Sequence, residues 1–190
     1  MADSQPNQIT TLQEFEELIR GLYRPGADVS RIQAILQRYQ RSQEGWQLAD
    51  QLLRSPDPHI RFFGALTFTV KINNDWDSLG ALNTVALLDR LLQWLVRLAN
   101  AQEGALVLRK LCSTLVAYFF RPSVNWDHCV RHIVCSMITG DVLSSETVSS
   151  MGTLGDVLSN MNNLDITVVL WFAAALVEEV GKINPNSVQT

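Results

Sequence analysis

Along most of the chain apolar residues recur every three or four positions, the spacing of helices with one buried side. In TLQEFEELIRGLY (11–23), Leu12, Phe15, Leu18, Ile19 and Leu22 share a face, and Arg24-Pro25-Gly26 stops the helix. VSRIQAILQRYQRS (29–42) repeats the pattern with Ile32, Ile35, Leu36 and Tyr39. EGWQLADQLLRS (44–55) sets Trp46, Leu48, Ala49, Leu52 and Leu53 against Gln47, Asp50, Gln51 and Arg54. VALLDRLLQWLVRLAN (85–100) buries Leu88, Leu91, Leu92 and Leu95 and turns Arg90, Gln93 and Arg97 outward. ALVLRKLCSTLVAYFF (105–120) is apolar on most sides and ends at Arg121-Pro122. VNWDHCVRHIVCSMI (124–138) is amphipathic, and LDITVVLWFAAALVEEVGK (164–182) reads as a heavily buried helix closed by Gly181.

One stretch breaks the rhythm. In ALTFTVKI (65–72), Leu66, Phe68, Val70 and Ile72 alternate with Thr67, Thr69 and Lys71, as in a half-buried strand. The flanks decide otherwise. Asp57 is placed to cap a helix that starts at Pro58, and the next breakers are Asn73-Asn74-Asp75. The interval is far longer than a strand of about five or six residues. On a helical wheel only Gly64, Thr67 and Lys71, at i, i+3 and i+7, lack bulky apolar groups. The expectation is a sandwiched helix with that stripe as its open face.

Buried and amphipathic helices therefore alternate. Gln51, Gln93 and His132 occupy comparable polar positions 42 and 39 residues apart. Helix pairs at a period near 40 predict an all-α, HEAT-type solenoid, with a compact bundle as the rival. The expected organisation is one array over 1–190, the N-terminal fragment of a longer solenoid, since the last apolar helix has nothing after it to cover it. The Ser-, Thr-, Gly- and Asn-rich stretch 139–163 reads as an inserted irregular loop with at most one weak helix near 154–161.

Composition narrows the functions. Of the residues 47% are hydrophobic, enough for a large core, and 18% are charged, which fits elements covered on several sides. The net charge is −4 without a basic run, so a nucleic-acid footprint is absent. The polar N-terminus MADSQPNQITT has no apolar core of a signal peptide, and VVLWFAAALV (168–177) is too short to span a bilayer. Three cysteines without CxxC spacing suggest a reducing compartment.

Several stretches in order resemble the N-terminal end of the importin-β (β-karyopherin) superfamily of nuclear transport receptors. They are FEELIRGLY, LQRYQRSQEGWQLADQLL, HIRFFGALTFTVKINNDW and LVLRKLCSTLVAYFFR, continued by LWFAAALVEEVGK. The nearest branch is that of importin-thirteen and transportin-three, in a fungal form. Trp46 stands a few residues after a Ser-Gln pair, and Phe63-Gly64-Ala65, Lys71-Ile72 and Trp76 match a string of that branch. Nothing in 139–163 is recognised. The resemblance implies a HEAT-repeat arm that binds the GTPase Ran in its GTP state, protein cargo and nucleoporins, without cofactor or catalysis, shuttling between cytoplasm and nucleus. The alternative is a HEAT-repeat scaffold for another protein complex, unrelated to Ran, because repeat geometry is shared between the two.

The expected partner surface is the set of polar helix faces: Gln47, Asp50, Gln51 and Arg54; Arg90, Gln93 and Arg97; and His128, Arg131 and His132, which stacking would join. Lys71 is either a capping lysine or a further contact. His128, His132 and Cys135 share a face at i, i+4 and i+7, but no second His/Cys group completes a structural zinc site. An outward polar stripe is preferred to metal ligation or a Cys–His nucleophile. Asp75 and Asp77 read as turn formers rather than paired catalytic carboxylates. Gly152 and Gly155 lack the lysine of a phosphate loop.

Overall fold

The computed structural model describes residues 11–159 and 161–183; the reading of the polar stretch 1–10 lies outside them. The described residues form helices and turns, with no strand among them. In order they are α1 (Leu12–Gly21), α2 (Val29–Gln40), α3 (Gly45–Leu52), α4 (Pro58–Asn74), α5 (Ala81–Asn100), α6 (Ala105–Phe119), α7 (Cys129–Thr139), α8 (Ser145–Ser150), α9 (Leu154–Leu158) and α10 (Asn163–Ile183), with a 3-10 turn at Trp76–Ser78. The alternating stretch 65–72 lies wholly inside α4, as the flanks require. Two compact units divide the chain, one to Lys71 and one from Ile72. Neighbouring helices pack as pairs within them, the all-α architecture of HEAT-type repeats.

In the first unit side chains cap α1, α2 and α4, whereas α3 starts without a side-chain cap. Thr11 Oγ1 accepts from the Glu14 N–H at 3.2 Å while the Glu14 carboxylate accepts from the Thr11 N–H, a capping box. Asp28 caps α2 through the Arg31 N–H, and Asp57 accepts from the His59 N–H at 2.9 Å ahead of α4. Phe15, Ile19, Leu36, Leu52, Ile60 and Phe63 form the core. The Phe15 ring meets those of Tyr39 and Phe63 edge-on, at 5.6 and 6.0 Å.

The stripe Gly64, Thr67 and Lys71 is buried, not open: Lys71 is only 1% exposed. Lack of bulk makes it the face of closest approach. A Cβ on Gly64 would lie 2.9 Å from the Ala49 carbonyl oxygen, so α3 crosses α4 against bare backbone. Thr67 Oγ1 donates to Phe63 O at 2.8 Å and accepts from Gln40 Nε2 at 3.1 Å. Lys71 Nζ donates to Ser42 O at 2.8 Å and lies 5.4 Å from the Trp46 ring centroid. These bonds satisfy the polar groups that burial takes from water.

In the second unit the short connection 101–104 returns the chain from α5 to α6, and α10 packs on α6 and α7. α5 begins four residues before the expected 85, behind Gly80, whose φ of +68° suits glycine. α7 begins at Cys129 rather than 124, because Trp126 leaves helical register to enter the core. Its ring meets Tyr118 at 6.1 Å and Phe172 at 5.9 Å.

Two further expectations are corrected here. α10 is not heavily buried all round: Val168 and Phe172 are covered, whereas Ile166, Leu170 and Val180 are exposed and Val177 is 71% exposed. Nothing in the described chain covers that face. Segment 139–163 is not one irregular loop with a single helix, for it carries both α8 and α9. Ser144 caps α8, and Val148 is buried with Val134 and Cys135 of α7.

Candidate functional site

The polar faces expected to meet a partner fall into three environments. On α3, Gln47 is exposed and Gln51 half-buried, and Arg54, just past the helix end, pairs with Asp50 at 2.9 Å. Such an exposed i,i+4 pair contributes roughly 0.3–0.5 kcal/mol, so it shapes the face more than it stabilises it. Gln47 and Gln51 rim a cleft of about 220 Å³ floored by Leu12, Phe15, Tyr39 and Leu48. Glu44 completes the rim. Its carboxyl is held below the usual range by its own backbone N–H, then by the Ser42 hydroxyl and the Lys71 charge.

On α5, Gln93 and Arg97 are exposed and Arg90 half-buried, as the spacing predicts. Arg90 and Arg97 flank the Trp94 ring, with guanidinium carbons 5.3 and 5.2 Å from its centroid. Arg90 also donates to Gln93 Oε1 at 2.8 Å. The face is thus a pre-ordered pair of cations on an aromatic support. It borders a cleft of about 450 Å³, whose far side is Asp141, Val142, Leu143 and Ser144.

On α7 the expectation fails for two of three residues. His128 is exposed, but His132 is only 3% exposed and Arg131 is turned into hydrogen bonds with the chain itself. His132 Nδ1 accepts from Trp126 Nε1–H at 3.0 Å, which leaves Nε2–H to donate to Leu143 O at 2.7 Å. Burial pushes the imidazole below its ordinary pKa, against opposing effects of the Leu143 carbonyl and the Asp89 carboxylate. Arg131 Nε donates to Val148 O at 2.9 Å, and Nη2 donates to Gly152 O at 2.6 Å and to Met151 O. The physical reason is that α5, α8, α9 and α10 all pack on α7, so Cys129, His132, Cys135 and Ser136 are buried along with the core side.

Lys71 is likewise engaged inside its unit with Ser42, rather than offered at an edge. Both ring nitrogens of His132 are occupied, and no three His, Cys, Asp or Glu side chains are grouped to hold a metal among the described residues. Burial raises the thiol pKa of Cys129 and Cys135, and that of Cys112 to about 12, which keeps all three protonated and poorly nucleophilic. Among the described residues no helix is long and apolar enough to cross a membrane.

Sequence reasoning missed the wall contributed by Asp141, Val142, Leu143 and Ser144. A signal was present: Leu143 and Val148 bracket the Ser144 cap at N′ and N4, a hydrophobic staple announcing α8.

No protein-family profile matches the chain. It is 39% identical over 105 residues to "Importin beta-like protein kap111" of Schizosaccharomyces pombe. It is 32% identical over 106 residues to "Importin-13 homolog A" of Dictyostelium discoideum. Each match covers 54% of this chain and 10% of the relative, so the chain aligns with about a tenth of the length of these proteins.

Proposed function

Over the half that these relatives match, the chain is of the importin-β superfamily, and from that premise we propose that it is the N-terminal arm of a nuclear transport receptor. It binds Ran in the GTP state and helps carry protein cargo past nucleoporins, moving between cytoplasm and nucleus and acting by binding rather than catalysis. The observation that carries the reading is 39% identity to an importin-β-like protein across a region that folds as paired helices. The polar faces of α3 and α5 are the contact surfaces in this reading: Gln47, Asp50, Gln51 and Arg54 in one unit, Arg90, Gln93 and Arg97 in the other. His128 joins them as the exposed member of its set. Lys71, Arg131 and His132 support the fold behind these faces and are not themselves contacts.

Physical chemistry favours α5 as the first face to probe. Its two guanidinium groups are ordered on Trp94, so little side-chain entropy remains to be lost when a partner carboxylate meets them. The test is Arg97→Glu together with Gln93→Glu. Both sites are exposed, and Arg90 keeps its acceptor. A slower association with Ran-GTP and an altered salt dependence are expected, with stability lowered only by the lost Arg97–Trp94 contact, about 0.5–1 kcal/mol. Unchanged association with an intact fold removes α5 from the interface.

A further inference from the structure

The segment from Asp141 to Gly152 crosses the polar side of α7 and is held there by two consecutive side chains. His132 grips its start through Leu143 O, in a tautomer set by Trp126. Arg131 grips its end through the carbonyls of Val148, Met151 and Gly152. Between these points Val148 is buried against Val134 and Cys135. The helix in the middle, α8, has six residues. An isolated helix shorter than about 12–15 residues is marginal in water, so α8 owes its order to docking. Its last carbonyls have no intrahelical donors; the planar guanidinium supplies one to Val148 O and carries on to Met151 and Gly152 just past the helix.

The same segment walls two clefts. Residues 141–144 close the 450 Å³ cleft beside Arg90 and Gln93. Ser145, Val148 and Ser149 close another of about 350 Å³, beside Trp126, His128 and His132. Whatever reaches the α5 face from this side therefore meets the segment.

We propose that residues 141–152 form a latched strap, with Arg131 as the latch, which sets access to the polar face of α5, so that a partner engages that face together with the strap. Arg131 is then a positioning residue: it acts on the partner through the strap backbone. The coupling to a partner rests on the reading that α5 binds Ran-GTP, whereas the latch itself does not.

The test uses the whole chain with Arg131→Ala and Arg131→Lys, since lysine keeps the charge but has no fork to span three carbonyls. Hydrogen exchange by mass spectrometry reads the latch. Both variants are expected to raise exchange in 141–152 by about tenfold or more while α5, α6 and α10 keep wild-type protection, the signature of a local opening. Unchanged exchange in 141–152, or an equal rise throughout the second unit, overturns the latch. If Arg131→Ala does not fold, Arg131→Lys decides by the same criteria. Ran loaded with a non-hydrolysable GTP analogue reads the coupling: a change in affinity of about threefold or more is expected in variants whose α5 is intact. An opened strap with wild-type affinity overturns the coupling. Absence of Ran-GTP binding by the wild-type chain instead overturns the reading on which the coupling rests, and the exchange result still decides the latch.

Discussion

Replacing Gly64 by alanine tests whether the bare stripe of α4 is a contact face or an open one. The new Cβ would stand 2.9 Å from the Ala49 carbonyl oxygen and 3.1 Å from both Leu52 Cβ and the Leu53 nitrogen. Heavy atoms in optimal contact lie about 3.5–4.0 Å apart, so α3 and α4 must part by roughly half an ångström against main-chain atoms that cannot rotate away. Forcing a methyl into a packed site costs about 1–3 kcal/mol. Alanine returns about 1 kcal/mol of helix propensity over glycine. The net expectation is a loss of about 1 kcal/mol, within limits of about 0 and 2. Gly181, in α10, has nothing within 4 Å of its own added Cβ, so Gly181→Ala should gain up to about 1 kcal/mol. The same substitution thus changes sign between two helices. Thermal unfolding followed by circular dichroism reads it, at about 2–4 °C per kcal/mol for a chain of this size. If Gly64→Ala stabilises as much as Gly181→Ala, the stripe is open and the close crossing of α3 over α4 is wrong.

The core and the buried imidazole give two more expectations. Phe63→Ala removes a ring packed edge-on against Phe15 and should cost about 3–5 kcal/mol in denaturant unfolding; a loss under about 1 kcal/mol would show the ring to be exposed. His132 is a base whose folded pKa is depressed below its ordinary 6.5, chiefly by burial, so protonation favours the unfolded chain. Its contribution is complete above about pH 6.5 and is lost as pH falls from there through the folded pKa. His132→Gln should flatten that slope, and a variant as pH-sensitive as the wild type contradicts the assignment.

Elements with two-sided signals were the most legible. Asp57 before Pro58 and the breakers at 73–75 outweighed the alternation inside α4, because near-total burial erases a periodicity that needs a wet face to show itself. The α5 face was also readable, since Leu88, Leu91, Leu92 and Leu95 define one side and leave Arg90, Gln93 and Arg97 opposite. The α7 face was not. Its amphipathic pattern shows which side meets apolar groups, yet His132 and Arg131 are covered by main-chain carbonyls, which leave no trace in side-chain polarity. Lys71 misled for the same reason, its acceptor being the Ser42 carbonyl. α8 was hidden by composition: Val148 is its one buried apolar residue, and the staple with Leu143 spans only six positions.

The transport reading stands or falls on nucleotide preference. Equilibrium titration of the protein with Ran, loaded in turn with GDP and with a non-hydrolysable GTP analogue, measures it directly. The predicted result is tighter binding of the GTP form by at least about tenfold, a difference of about 1.4 kcal/mol. Equal affinity for the two forms, or binding of neither, contradicts it.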